Sequence, residues 1–316
     1  MDRQEYEKQL ISRVLAELER FGLKSCAVSV ILTGSFGRGE ETIDFSDGGA
    51  VLKSDVEIAV VFRCGRKSET EKMIAEVVPL FDEELNLMTI SERRVRKRHN
   101  FNYTVFEPKY KTIFTYDLYS GSKTIWGEDI IAKSEIGAAS IDKYEARRLI
   151  ANRIGEMCMA EDMGGECVRW RCKLLLADIT AYLLVRGYYT PSFVKQKKEV
   201  LARRAELESV FGENIIRDYT KTVEFLREGG GQFDISEEIL RNYTAAAAKY
   251  VENCGAKKPK VNCLMRKIKY FCKQLKNGFV YFGDAETHIL QNLVEKYVKK
   301  DKSIAKTAEL WHNIIY

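Results

Sequence analysis

The stretch ILTGSFGRGEETIDFSDGGAVLKSDVEIAVVF, residues 31–62, places two apolar runs on either side of a glycine-rich, acidic segment. In its second run the acids Asp55 and Glu57 alternate with Val56 and Ile58. Because successive side chains of a strand point to opposite faces, this pattern predicts that both carboxylates share one face. Two carboxylates that close repel each other unless a cation lies between them, and Mg²⁺ takes oxygen ligands of this kind. The sequence therefore predicts a metal site at the start of this strand.

The glycine-rich segment before the acids is suited to phosphate. Gly34, Gly37 and Gly39 allow the backbone to approach a phosphate closely, and Ser35 adds a hydroxyl donor. Arg38 contributes a permanent positive charge that suits phosphate. Together with the two acids, the segment predicts a metal–triphosphate site. On the pattern alone, a common glycine-rich hairpin beside an exposed acidic strand remains the alternative.

The fold class expected from the whole chain is α+β. The β-rich and helical runs of the first part predict helices over residues 4–21 and 68–81 and strands over 26–34, 55–62, 85–91 and 110–121. From about residue 134 the sequence is almost entirely helical, and glycines close most of its helical stretches. We therefore expect a small mixed sheet with helices over residues 1–133, followed by an all-α helical bundle over residues 134–316. No low-complexity linker separates the two parts, so we expect them to pack together.

The segments TGSFGRGE and SDVEIAVVF resemble the nucleotidyltransferase superfamily, which includes DNA polymerase β, kanamycin nucleotidyltransferase and the minimal nucleotidyltransferases. The pattern of that family is an apolar strand, Gly-Ser, a short segment, and then Asp-x-Asp/Glu on the next strand. Gly34, Ser35, Asp55 and Glu57 match it residue by residue. The motif is more similar to the aminoglycoside and minimal nucleotidyltransferases than to the polymerases. The resemblance covers the first of the two predicted domains.

The resemblance implies a Mg²⁺-dependent transfer of a nucleoside monophosphate from a nucleoside triphosphate. Asp55 and Glu57 would hold one or two Mg²⁺ ions. Gly34 and Ser35 would grip the triphosphate with the help of Arg38. The first helices of the companion domain usually line the nucleotide cleft, so Lys173 is a further candidate for a phosphate contact, with a surface lysine as the alternative.

Active members of the family usually carry a third acid on a later strand. Asn86 lies where we first expect that acid, and an amide can ligate a metal but cannot act as a base. Asp117, which we place at the end of the predicted fourth strand, is the next candidate for a catalytic role. Its alternative is an aspartate that only initiates the turn at Ser120-Gly121. If neither residue completes the site, the protein would bind a nucleotide without transferring it.

The acceptor that we favour is a small molecule, either a sugar, an aminoglycoside-like compound or a phosphorylated metabolite. Two basic stretches, residues 91–101 and 256–278, keep RNA or a protein side chain open as acceptors. The aromatic pair Tyr188-Tyr189 could stack on a base, although a structural pair is the simpler interpretation. The resemblance to the kanamycin enzyme is also compatible with a homodimer.

Composition limits which partners, cellular locations and metal sites we expect for this protein. The 316 residues carry a formal net charge of +5, a mild preference for anionic partners. The charged N-terminal segment has no apolar core of a signal peptide, and no apolar run approaches the roughly 20 residues of a membrane span. We therefore expect a cytoplasmic protein without a membrane partner. The 8 cysteines form no C-x-x-C pair, so we do not expect a zinc site.

Overall fold

The computed structural model describes residues 3–44, 51–96, 112–131, 137–162, 167–228, 233–257 and 285–315. Over these residues the fold is mixed α+β, with one small mixed sheet and many helices. The boundary that we place between residues 133 and 134 stays a prediction, because residues 132–136 lie outside the described residues.

Six strands form two sheets within the described residues. They are β1 Ala27–Leu32, β2 Ile43–Asp44, β3 Val51–Leu52, β4 Val56–Phe62, β5 Leu85–Ser91 and β6 Lys123–Gly127. The larger sheet has the order β5-β4-β1-β6, and the smaller one is the antiparallel hairpin β2–β3. In the larger sheet β1 is antiparallel to both of its neighbours, whereas β4 and β5 are parallel.

The central strands β1 and β4 are covered on both faces. Every residue of β1 is buried, as expected for a nearly continuous apolar run in the middle of a covered sheet. Helix α1 contributes Leu10, Val14 and Leu18 to the core on one face. These residues recur every four positions, so they lie on one side of the helix. The predicted strands over residues 26–34, 55–62 and 85–91 and the predicted first helix are confirmed within a few residues.

Fourteen α-helices lie in the described part of the chain. They are α1 Arg3–Arg20, α2 Leu23–Cys26, α3 Gly34–Arg38, α4 Lys67–Val77, α5 Glu92–Arg96, α6 Ile113–Ser120, α7 Tyr144–Asp162, α8 Cys167–Val185, α9 Phe193–Ala202, α10 Arg204–Phe211, α11 Ile215–Glu228, α12 Glu237–Asn253, α13 Ala285–Val298 and α14 Ile304–Ile315. Helices α7 to α14 share one large hydrophobic core, separate from the two smaller clusters on the faces of the sheet. None of the described helices combines the length and the apolar character needed to cross a membrane.

The predicted fourth strand over residues 110–121 is wrong. Its described part forms helix α6, in which the side chain of Thr112 accepts a hydrogen bond from the N–H of Thr115 at the helix start. The run of β-branched and aromatic residues favours a strand only weakly, and local capping with tertiary packing overrides that preference. The edge of the sheet is formed instead by β6, which begins at Lys123.

Only parts of the two basic stretches lie within the described residues. Helix α5 contains Arg93, Arg94 and Arg96 from the first stretch, and residues 97–101 lie outside the described residues. Arg96 pairs with Glu92 and Glu128, so part of its charge is already neutralised. Most of the second stretch, residues 258–278, also lies outside the described residues.

Candidate functional site

A cleft of about 830 Å³ lies between the sheet and helices α6, α7, α8, α9 and α11. Eight side chains that the sequence analysis singled out line it, namely Ser35, Arg38, Asp55, Glu57, Asn86, Asp117, Lys173 and Tyr189. We call the side formed by Ser35, Asp55, Glu57 and Asn86 the sheet wall, and the side formed by Arg153, Arg169 and Lys173 the helical wall. The predicted residues therefore come together, although they derive from distant parts of the chain.

Gly34 and Ser35 follow directly after β1 and lie against the acidic strand β4. Thr33 donates both its backbone N–H and its hydroxyl to the carbonyl oxygen of Glu57, at 2.8 Å and 3.2 Å. The chain then enters α3, a short helix rather than the hairpin loop considered from the sequence. Gly34 has φ 62°, and a Cβ on it would lie 1.9 Å from Oε2 of Glu57. Glycine is thus required here by both conformation and space, since the carboxylate of Glu57 packs directly on this backbone.

The acid pair on the sheet wall has the predicted alternation. Val56 and Ile58 are fully buried, whereas Asp55 and Glu57 are partly exposed and line the cleft. Burial raises the pKa of Glu57, and the neighbouring charge of Asp55 raises it further. The positive charge of Arg38, and then those of Arg153 and Lys173 on the helical wall, partly offset this increase in the pKa. A pair of carboxylates in this state gains stability from a cation bound between them.

The donor set on the sheet wall fits Mg²⁺ that is bound together with a nucleotide. Among the described residues, no cluster of three or more His, Cys, Asp or Glu could hold a metal ion. Mg²⁺ is commonly held by one or two carboxylates, and phosphate oxygens and water complete its shell. Two carboxylates at an open cleft meet that requirement, and they do not resemble an all-protein cage.

Asn86 occupies the position beside Glu57 on the adjacent strand. The two residues are direct partners in the parallel register of β4 and β5. Asn86 is exposed and lines the cleft. It can therefore offer an amide oxygen next to the acid pair, but it cannot accept a proton as a base.

Asp117 lies in the cleft on helix α6, not at the end of a strand as we expected. The hydroxyl of Tyr189 donates to both of its carboxylate oxygens, at 2.7 Å and 2.9 Å. Burial raises the pKa of Asp117 to about 7, although the bond from Tyr189 and the charge of Arg38 act in the opposite direction. A carboxylate with a pKa near neutrality is suited to general base catalysis. Tyr189 thus orients an acid, a role that its sequence did not indicate.

The helical wall has an excess of positive charge, because Arg153, Arg169 and Lys173 outnumber its one carboxylate, Glu156, which forms an ion pair with Arg153. Arg153 comes from α7, and Arg169 and Lys173 come from α8. Burial lowers the pKa of Lys173, and the two arginines lower it further, whereas Asp55 raises it. The ammonium group of Lys173 lies 4.3 Å from the centre of the Trp170 ring, and no hydrogen bond or ion pair joins it to any residue that the structure describes. Such a cation is available to an anionic ligand.

Sequence reasoning missed both arginines of the helical wall. Arg169 and Lys173 are four residues apart, a spacing that places them on one side of a helix and that could have indicated Arg169. Arg153 lies on a different helix, so no local spacing connects it to Lys173. Arg169 also donates to the carbonyl oxygen of Lys53 at 2.6 Å, which ties α8 to the segment just before Asp55.

Glu40 joins the Gly-Ser segment to the helical part of the chain. Its buried carboxylate accepts hydrogen bonds from the Ser192 hydroxyl at 2.7 Å and from the N–H groups of Phe193 and Val194 at 2.9 Å and 3.2 Å. These groups form the start of α9, where backbone N–H groups lack partners within the helix. Glu40 also accepts from Nε of Arg38 at 3.3 Å. The predicted phosphate contact Arg38 is therefore held against the cleft by the same acid.

Comparison of the chain with protein-family models, with curated proteins and with solved structures found no match. The interpretation of the cleft therefore rests on the residues that line it and on the chemistry that they allow.

Proposed function

We propose that the protein is a Mg²⁺-dependent nucleotidyltransferase that moves a nucleoside monophosphate from a nucleoside triphosphate to a hydroxyl or phosphate group of a small molecule, releasing pyrophosphate. One observation carries this proposal. One cleft is lined by Ser35 and the pair Asp55 and Glu57 on its sheet wall and, on its helical wall, by Lys173, which forms no hydrogen bond or ion pair with a described residue. Opposite walls of opposite charge suit a ligand that brings both a metal ion and a polyphosphate.

The residues of the two walls have separate tasks in this proposal. Ser35 and the backbone beside Gly34 donate hydrogen bonds to phosphate oxygens. Lys173 and Arg153 neutralise the charge of the triphosphate from the other side, as cations commonly do for transferring phosphoryl groups. Asp55 and Glu57 would hold Mg²⁺, which would supply electrostatic stabilisation of the negative charge that develops during transfer. Positioning and electrostatics then supply most of the catalysis.

Asp117 is the group that we assign to the acceptor. It accepts the proton of the attacking hydroxyl while Tyr189 holds its carboxylate in place. Its pKa of about 7 favours the ionised form above neutral pH. Its place in the cleft supports transfer rather than nucleotide binding alone. The oxygen of Asn86 would remain available as a neutral ligand beside Glu57.

The proposed function also gives each of the two predicted domains a role. Residues 1–133 would form the nucleotidyltransferase domain and residues 134–316 its helical companion, with the cleft between them. The protein would act in the cytoplasm, where nucleoside triphosphates and Mg²⁺ are both available.

The test is to incubate the protein with each of the four nucleoside triphosphates, labelled at the α-phosphate, together with Mg²⁺ and panels of sugars, aminoglycosides and phosphorylated metabolites. We expect the label to move to one acceptor class, with one pyrophosphate released per transfer, and no transfer in the presence of EDTA. A label that appears on RNA or protein of a cell lysate, and on no small molecule, would show that the acceptor class is wrong. Absence of transfer to every acceptor would contradict the proposed activity.

A further inference from the structure

A second groove of about 490 Å³ lies beside the cleft, between helices α9 and α11 and the start of α1. Four cationic side chains and one carboxylate line it, namely Arg3, Lys197, Lys198, Arg227 and Glu224. We call it the basic groove. Positive charge is therefore concentrated in this groove, whereas the chain as a whole carries a net charge of only +5.

Two of the four cations are already paired. Lys197 lies 3.7 Å from Glu224, and Arg3 lies 3.7 Å from the buried carboxylate of Glu41. Lys198 and Arg227 form no hydrogen bond or ion pair with any residue in the described ranges. Two uncompensated cations in one concave surface attract an anionic ligand group, and arginine in particular can bind a phosphate or carboxylate with two parallel hydrogen bonds.

The remainder of the groove is apolar. Val194 and Leu201 on α9 are 43% and 49% exposed, and Phe193 and Val223 complete the lining. The groove volume falls within the range of small-molecule sites, which combine an apolar lining with a few charged or polar groups. This composition suits an anion attached to a compact apolar body.

The basic groove adjoins the cleft. Phe193, Val223 and Arg227 line both cavities. The end of α11 is fixed at this junction, because the hydroxyl of Thr42 donates to the carbonyl oxygen of Leu226 at 2.8 Å. A ligand in the groove would therefore lie next to the cleft in which we propose that the nucleotide binds.

We propose that the basic groove binds an anionic small molecule, which carries a phosphate or carboxylate group on an apolar body, and that this molecule is the acceptor. The acceptor role rests on the proposed function, whereas the anion site does not. The groove favours anionic over cationic molecules, and this argues against an aminoglycoside as the substrate.

The experiment measures the binding of phenyl phosphate, by ligand-observed NMR and calorimetry, while a non-hydrolysable ATP analogue and Mg²⁺ occupy the cleft. Phenol serves as the matched uncharged probe. We expect phenyl phosphate to bind and phenol not to bind, and the double variant Lys198→Ala/Arg227→Ala to weaken phenyl phosphate binding by about tenfold or more. The control is Lys195→Ala/Lys221→Ala, which removes two exposed lysines from the same helices but outside the groove. This control variant should bind phenyl phosphate with the same affinity as the wild type.

Equal binding of phenyl phosphate by the wild type and the groove variant would overturn the proposal, as would absence of binding to the wild type. Binding of a single-stranded RNA oligonucleotide that depends on the same two residues, without binding of phenyl phosphate, would also overturn it in favour of a nucleic acid. Circular dichroism of each variant checks that the fold is retained. If the ATP analogue does not bind but phenyl phosphate does, the anion site stands and the proposed function fails.

Discussion

The sheet wall and the helical wall of the cleft carry opposite charges and hold them in different ways. Asp55 and Glu57 are short side chains on or beside a buried strand, and Glu57 is further fixed against Gly34. Lys173 and Arg153 reach the cleft on long side chains from two helices. A metal ion needs ligands at fixed distances, whereas a triphosphate tolerates flexible cations around it. Under the proposed function, we therefore expect the sheet wall to set the chemistry and the helical wall mainly to set affinity.

Removal of one acid from the sheet wall should have the largest effect. We expect Asp55→Asn to lower kcat/KM for pyrophosphate release by roughly a thousandfold or more, because a neutral amide is a much weaker ligand for Mg²⁺. A continuous assay of pyrophosphate release measures this change.

The matched control for that variant is Glu84→Gln. Glu84 is also an acid that lines the cleft, but it is exposed and lies just before β5. It should keep kcat/KM within a few-fold of the wild type. An equal loss in both variants would show that kcat/KM depends on the total negative charge of the cleft and not on the acid pair.

The second-largest effect should come from the contact between Gly34 and Glu57 on the sheet wall. Gly34→Ala would place a Cβ 1.9 Å from Oε2 of Glu57, so the carboxylate must move. We expect a loss of roughly a hundredfold in kcat, in addition to a stability loss of about 1–2 kcal/mol from the left-handed backbone. Activity assays and thermal unfolding measure the two effects separately.

Gly39→Ala provides the control for Gly34→Ala. Gly39 has a similar φ of 67°, but nothing lies within 4 Å of the position of its Cβ. It should therefore show the loss of stability with nearly unchanged kcat. If the two variants behave alike, the contact between Gly34 and Glu57 has no role in activity.

The helical wall should give a smaller effect, mainly on affinity. We expect Lys173→Gln to weaken binding of the nucleoside triphosphate by about tenfold, because one charge-assisted contact is lost. The comparison variant is Lys143→Gln, near the start of α7 and outside the lining of the cleft. A loss in kcat with unchanged nucleotide affinity would contradict the division of roles between the walls.

The smallest effect concerns the pH dependence that Asp117 should create. Its carboxyl has a pKa of about 7, so kcat/KM should rise as pH increases through neutrality and the base becomes ionised. Tyr189→Phe removes a hydrogen bond that favours the ionised form, so the rise should move to higher pH. Tyr188→Phe, the exposed neighbour, should leave the profile in place. A profile that is identical in Tyr189→Phe and the wild type would exclude Asp117 as the titrating base.

Three residues of the sheet wall, Ser35, Asp55 and Glu57, were predictable from sequence because they lie close together in the chain. The alternation of Asp55 and Glu57 with buried residues, and the glycines before them, follow from strand periodicity and backbone freedom. The order of the strands does not follow from these patterns. Asn86 lies beside Glu57 only because β5 pairs with β4 in parallel, a long-range contact that no local spacing reveals.

The helical wall and the surroundings of Asp117 were largely unpredictable for the same reason. Lys173 was singled out only through the family resemblance, and Arg153 carried no signal at all. The segment around Asp117 has a β-favouring composition but folds as α6, so its side chain approaches the cleft from a helix. Its partner Tyr189 is 72 residues away in sequence. Contacts of this kind depend on how the helices pack on the sheet, which local propensity does not determine.

The central claim is that the acid pair and the cationic wall hold a nucleotide together with Mg²⁺. Titration calorimetry with a non-hydrolysable ATP analogue, with and without Mg²⁺, tests it most directly. We expect Mg²⁺ to strengthen binding to the wild type, Asp55→Asn/Glu57→Gln to remove this dependence on Mg²⁺, and Lys173→Gln to weaken binding under both conditions. Equal affinity of the wild type with and without Mg²⁺, or a dependence on Mg²⁺ that survives in the double variant, would contradict it.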